Sequence, residues 1–205
     1  MMRVILLCLC LLFSCGAYAY AGTEEVLDKL KTTMGNVQSL KCRFVQHKTL
    51  AMFDDTLESQ GVLLFQSPDR LRWEYISPVK AGFVVAGKQG RRWNTLAGTD
   101  EPFRVADDVE MRILTEQVLK WTCFDLDALR EQYEFAVASK KPLKLVLTPK
   151  STVVRRLLRE LRVTLSPAMS DVAKLEFIEA DGDVTTYTFF DTIINSDIDA
   201  SLLTP

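Results

Sequence analysis

The sequence holds a single histidine, His47. Acid-base catalysis near neutral pH draws on that side chain more than on any other. Here it stands between Gln46 and Lys48 in an alternating tract and reads as a half-exposed strand residue. No G-x-S-x-G, H-E-x-x-H, P-loop or G-x-G-x-x-G pattern occurs, which removes the commonest hydrolase, metalloprotease and nucleotide-binding readings. The acid pairs Asp54-Asp55 and Asp107-Asp108 sit where turns and helix starts want carboxylates. No enzyme, catalytic residue, metal or cofactor is expected. A charge surplus is missing as well: 25 Lys and Arg stand against 27 Asp and Glu. No global field therefore draws the chain to nucleic acid, and no basic strand carries interleaved exposed aromatics.

Cysteine is sparse after residue 15, where only Cys42 and Cys123 occur. Their spacing gives neither a C-x-x-C motif nor a metal site. In an oxidising compartment the pair allows one disulfide, which over so long a loop would contribute about 4–5 kcal/mol in the chain-entropy model. Two buried thiols fit the spacing equally.

What is present begins with an export signal. After Arg3, residues 4–13 form an apolar run followed by small residues, the plan of a secretory signal peptide. The run is too short to span a bilayer. Ala19-Tyr20-Ala21 before Gly22, or Ala17-Tyr18-Ala19, fits ordinary cleavage and is the favoured route. Leu12-Phe13-Ser14-Cys15-Gly16 is a loose lipobox in which Cys15 would be acylated, with Phe13 fitting poorly. The expectation is a signal over residues 1–21 and one exported domain over residues 22–205, large enough to bury roughly 70% of its unfolded surface.

Residues 23–39 read as an amphipathic helix capped by Thr23, with Val26, Leu27, Leu30, Met34 and Val37 at helical spacing. Strands are expected over residues 41–50, 57–65, 81–86, 91–96, 131–138, 143–148, 161–165, 172–180 and 183–190. Asp181-Gly182 marks the last hairpin. Between them, residues 107–119 carry Val109, Ile113, Leu114 and Val118 at helical spacing, and residues 126–130 suggest a second short helix. Residues 153–162 hold Arg155, Arg156, Arg159 and Arg162 beside Val154, Leu157, Leu158 and Leu161. As a helix this is either a solvated connector or a docking patch for an acidic partner.

The centre of the chain is residues 61–78, two apolar runs broken at Ser67-Pro68-Asp69-Arg70, which reads as a β-hairpin. A four-residue turn with Ser67 and Arg70 as its ends sets Leu64 opposite Trp73 and Val62 opposite Tyr75. Leu71 joins that face, while Leu63, Phe65, Ser67, Arg70, Arg72 and Glu74 fall on the other. Antiparallel strands curling around helices would bury so much apolar area, either as a filled core or as a ligand cavity.

The tract from Phe44-Val45-Gln46 through Gly61 to S-P-D-R-L-R-W-E-Y-I-S-P resembles the outer-membrane lipoprotein carrier (LolA) family. The likeness continues in order through Gly87-Lys88 before Trp93, Leu147-Thr148-Pro149-Lys150, Asp181-Gly182-Asp183, Thr185, Tyr187 and the late Asn195. It implies a mainly β fold with α: an incomplete antiparallel β-barrel wrapped around a helical lid over a hydrophobic cavity. It also implies a monomeric periplasmic carrier of an acylated lipoprotein or other lipid, served by an inner-membrane export complex and an outer-membrane acceptor. The implied cavity and lid contacts are Phe44, Leu63, Phe65, Trp73, Phe83, Val85, Trp93, Ile113 and Leu114, each of which also fits plain core packing. The family's lid-latching arginine before the hairpin proline is replaced by Ser67, so Arg70 is expected to take that role, with Arg72 as the fallback. The chain also ends at Leu203-Thr204-Pro205, where fuller carriers continue. Both departures leave the cargo open, a glycolipid included. A Cys15-tethered acceptor of the LolB type and a ligand-free sensor or interaction domain are the alternatives.

Overall fold

The computed structural model describes residues 15–52, 55–122 and 125–205, with side chains from Thr23 onward except Trp121. Residues 1–14, most of the expected signal, lie outside the described residues. So do the Cys15 side chain and Cys123, on which the acylation and disulfide alternatives depend.

Helix α1 (Cys15–Met34) leads into β1 (Ser39–Thr49), β2 (Thr56–Gln66), β3 (Arg70–Ser77), β4 (Ala81–Ala86), β5 (Gln89–Asn94) and β6 (Thr99–Arg104). Two helices follow, α2 (Val109–Thr122) and α3 (Leu126–Gln132). Then come β7 (Tyr133–Lys140), β8 (Leu143–Pro149), a one-turn helix α4 (Thr152–Arg155), β9 (Leu158–Leu165), β10 (Val172–Glu179), β11 (Val184–Ile194) and a 3-10 turn (Ala200–Leu203). All eleven strands join one antiparallel sheet in the order β6-β5-β4-β3-β2-β1-β11-β10-β9-β8-β7. The edges β6 and β7 do not pair, so the barrel is incomplete.

The first and last strands meet in the middle of that sheet, with Phe44 opposite Phe189 and Lys48 opposite Thr185. Asn195 pins the junction from a left-handed backbone (φ 54°). Its Oδ1 accepts the Gln38 N–H at 2.7 Å and its Nδ2 donates to the Asn36 carbonyl at 3.2 Å.

The concave face is covered by helices in two halves. Leu27, Leu30 and Met34 of α1 and Leu126 and Leu129 of α3 pack on the inward residues of β7 to β10. The Lys31–Asp127 ion pair at 2.6 Å and an Arg130–Glu24 pair tie those two helices together. Met111, Val118 and Leu119 of α2 cover the inward residues of β1 to β4 and Phe103 of β6. On the convex face, Leu64 and Val84 are buried where the 3-10 turn with buried Leu203 packs on β3 and β4.

Several expectations change. The central hairpin pairs Gln66 with Arg70, Leu64 with Arg72 and Leu63 with Trp73. Three residues, Ser67 to Asp69, form the loop instead of two, and the one-residue slip brings the opposite face of β2 beside Trp73 and Tyr75. Leu63, Phe65, Leu71, Trp73 and Tyr75 therefore share the inner face, whereas Arg70 and Arg72 lie outside with Leu64. Strand β6 was not expected; it is a polar edge strand paired only with β5, and an edge tolerates Pro102. Helix α1 begins before Thr23, which lies inside it, because Ala17, Ala19 and Ala21 favour helix. The helix expected over residues 153–162 is only one turn long. Strand β9 starts at Leu158, since pairing with β8 and β10 buries Leu161, Val163 and Leu165 more fully than a helical stripe would.

Candidate functional site: an apolar cavity under α2

The two covered halves leave a cavity of about 890 Å³ between them. It lies at the upper end of the range for small-ligand sites, about 300–1,000 Å³. Its floor comes from strand alternation: Cys42, Leu63, Trp73 and Phe83 stand in register on β1 to β4, and Leu175, Tyr187 and Phe189 face them from β10 and β11. Met111, Leu114 and Val118 of α2 form the roof.

Beside the floor residues, on the same inner face, Phe44 is fully buried and organises an aromatic group. Its ring centroid lies 4.7 Å from Trp73, 5.3 Å from Tyr75 and 5.8 Å from Tyr187. The ring lies over Gly61, where a β-carbon would run into it and into the Glu74 carbonyl oxygen. That close approach is the reason for glycine in the middle of β2.

Polar side chains form the smaller part of the lining, with Arg92, Asp171 and Glu179 its charged members. The Tyr75 and Tyr187 hydroxyls are 3.2 Å apart, and burial, with Tyr75 alongside, pushes the Tyr187 phenol far above its ordinary range. Burial, aided by the Asp171 carboxylate, pushes the Cys42 thiol from 9.0 up to about 12. Because folding raises this pKa, the folded state holds the proton more tightly. The associated stability is complete below pH 9 and is lost as pH rises toward 12. Native Cys42 is accordingly expected to resist iodoacetamide at about pH 8.5, the ordinary thiol value and well below the folded one, and to react on unfolding in urea; rapid native alkylation, read by peptide mass, would contradict the burial.

Arg92 is the charged group at the edge of the roof. It projects from the inner face of β5, donates from Nε to Glu101 at 2.7 Å and from Nη1 to Asp108 Oδ2 at 2.9 Å. The other Asp108 oxygen accepts the Met111 N–H at 3.0 Å and so caps α2. One side chain thus ties the start of α2 to the sheet.

The expected site residues divide by position. Leu63, Trp73, Phe83 and Leu114 line the cavity. Phe44, Phe65 and Val85 are buried on the same inner face of the sheet but do not line it. Trp93 reaches the rim, but its ring lies over Gly82 on the outer face, with the Arg72 guanidinium 4.8 Å from its centroid. Ile113 is exposed on α2. Arg72 also bonds Glu74 at 2.8 Å and the Leu202 carbonyl at 3.3 Å, and Arg70 is exposed beside it, so neither touches α2. Tyr75, Tyr187, Phe189, Met111 and Arg92 went unnominated. Alternation from Trp73 to Tyr75 and from Tyr187 to Phe189 was the available signal for the aromatics; nothing local marks Arg92.

Among the described residues, Glu179, Asp181 and Asp183 bring carboxylate oxygens within 4.8 Å of one another. They already serve the last hairpin: Asp183 accepts the Ala51 N–H at 2.8 Å and Asp181 the Asp183 N–H at 3.1 Å.

No curated protein sequence matches the chain. Among solved structures, MucB is matched over 90% of this chain and 63% of its own, at 13% identity and a TM-score of 0.57. The Pseudomonas aeruginosa MucA/MucB complex is matched over 90% of this chain and 61% of that one, at 13% identity and 0.55. The chain thus spans less than two thirds of the length of both. A LolA superfamily protein from Nitrosomonas europaea is matched over 89% of this chain and 97% of its own, at 10% identity and 0.42. At such identities the likeness concerns the fold. The open sheet, its helical cover and a match of residues 35–205 to the model described as "Outer membrane lipoprotein carrier protein LolA" lead to one assignment: the chain belongs to the LolA family.

Proposed function

We propose that this protein is a periplasmic carrier that shields the acyl chains of a lipoprotein or other lipid during transport to the outer membrane. The observation that carries the reading is the cavity: about 890 Å³ with a wall of aromatic and aliphatic side chains. Packed interiors leave few voids larger than a water molecule, so space of this size beneath a helix suits a guest. The guest's need is physical, because each acyl CH₂ left in water costs about 0.8 kcal/mol. Leu63, Trp73, Phe83 and Leu114 would meet the chains, with Phe44, Phe65 and Val85 as the packing beside them. Removal of residues 1–21 and release to the periplasm are part of the proposal, as are an inner-membrane donor and an outer-membrane acceptor. N-terminal mass determination separates this form from one acylated at Cys15.

The test is lipid extraction and mass spectrometry of protein purified from the periplasm, together with uptake of a fluorescent acyl probe. Bound lipid or saturable uptake is expected. Absence of both would favour the second reading, a ligand-free interaction domain, which the MucA/MucB complex on the same fold supports.

In this reading α2 is the lid, and its latch is Arg92 rather than Arg70 or Arg72. The Arg92–Asp108 contact favours the state with α2 seated on the sheet, so a ligand that lifts α2 must break it. Arg92→Leu is expected to retain an acyl probe longer and pass it to acceptor vesicles a few fold more slowly, a modest change because the pair is partly exposed. Release at the parent's rate would remove the latch assignment.

A further inference from the structure

Exposed apolar side chains gather at one end of the sheet. Strand pairing sets the termini there: Thr49 opposite Thr56 and Val184, Gln60 opposite Ser77, Asn94 opposite Ala81 and Thr99, and Glu179 opposite Leu158. The loops and strand ends at that end carry Met52 (88% exposed), Leu96 (81%), Leu157 (74%) and Val153 (67%), with Leu57 and Ile76 also exposed. Single exposed apolar residues are ordinary, but a group sharing one rim marks an interaction surface. This rim is also the mouth of the cavity, because Asn94 and Thr99 line it from one edge of the sheet and Val154 and Leu157 from the other.

The charge beside these residues is uneven. Arg155, Arg156 and Arg159 are exposed around α4. Arg155 donates to the Lys150 carbonyl, and among the described residues none of the three forms a salt bridge. Most carboxylates at this end belong to the neighbouring strands and turns and are engaged: Asp183 and Asp181 in the hairpin bonds given above, Glu58 with His47 at 3.3 Å and Glu179 with Lys48 at 4.0 Å, while Asp55 stands exposed between β1 and β2. The rim thus has a cationic apolar side at α4 and an acidic side at β1, β2 and the last hairpin.

We propose that the α4 side of this rim docks on an anionic lipid bilayer. Arg155, Arg156 and Arg159 pair with lipid phosphates, while Val153 and Leu157, with Leu96 across the mouth, enter the headgroup layer. Acyl chains then pass between bilayer and cavity without crossing open water, so the inference rests on the carrier reading and gives it a direct membrane step. A bilayer suits this surface better than a protein does: the apolar tips stand on separate loops with no continuous groove, and arginines flanking short apolar anchors match the headgroup boundary. The chain's balanced net charge keeps such docking local and reversible.

The test is co-sedimentation of the full chain with vesicles of phosphatidylcholine alone and of an equimolar mixture with phosphatidylglycerol. Binding to the mixed vesicles only, weakened by salt, is expected. Each arginine removed should weaken it about fivefold, so Arg155→Gln, Arg156→Gln and Arg159→Gln together should weaken it roughly a hundredfold. Val153→Asp with Leu96→Asp should abolish it. All five positions are exposed, so unchanged thermal unfolding is expected and makes the loss specific. No binding of the parent to mixed vesicles, or a triple variant that binds like the parent, overturns the proposal. Acyl-probe uptake without vesicles separates the two ideas: rim variants that keep uptake and lose vesicles support docking, whereas a parent that docks without taking probe ends the carrier reading alone.

Discussion

Phe44→Ala is expected to cost about 3–5 kcal/mol of folding stability, the range for removing a fully buried ring. Phe44 is 0% exposed, and its ring meets Trp73, Tyr75, Tyr187 and Phe189 from β3 and β11. The loss therefore falls where the two halves of the sheet join. Gly61→Ala attacks the same spot by overfilling, since the new methyl must displace the Phe44 ring and the Glu74 carbonyl, at a cost of about 1–3 kcal/mol. Because the two residues touch, shrinking Phe44 should partly relieve the alanine. Phe44→Leu with Gly61→Ala should cost less than the sum of the single changes. Urea unfolding of these variants and of Phe44→Leu alone measures the effects. A loss below about 1 kcal/mol for Phe44→Ala would mean the aromatic group does not hold the halves together.

In the carrier reading, filling the cavity should sharply weaken acyl binding while leaving the fold intact. Ala81 lies on the inner face of β4 between Tyr75 and Asn94 and lines the cavity. Phenylalanine there suits a strand, and its ring has empty space to enter instead of packed neighbours. If it denies room to three methylenes, binding loses about 2.4 kcal/mol, roughly a fiftyfold rise in Kd. Probe titration beside thermal unfolding checks this: the expected result is weak uptake at parental stability. Parental uptake by a stable Ala81→Phe would show that the ligand lies elsewhere.

These two sites show what sequence reading reached. Strand β4 was expected over the residues it occupies, because an apolar run between a proline and a Gly-Lys-Gln-Gly turn has few other uses. Phe44, Gly61, Trp73 and Tyr187 were singled out, and they meet in one place. The hairpin register was missed because a loop of two and a loop of three residues begin with the same Ser-Pro-Asp, and only cross-strand packing decides between them. Arg92 was illegible for a related reason: its partner Asp108 belongs to a helix that reaches β5 only through tertiary packing. Whether the interior was filled or hollow depended on volumes summed over eleven strands, which no local pattern carries.

The meeting of β1 and β11 at the centre of the sheet sets the order in which the chain assembles. Strands β1 to β6 pair with sequence neighbours and can form as a meander soon after they emerge, and β7 to β11 can do the same. Between the two meanders stands the Phe44–Phe189 pairing, which closes a loop of most of the chain and carries a large entropic penalty. Until β11 arrives, β1 is a bare edge with Cys42 and Phe44 uncovered, a template for pairing with another copy. Such non-local closure slows folding. A newly made chain of this topology therefore passes through a vulnerable interval whose end is marked by Asn195 fastening the last strand to the first.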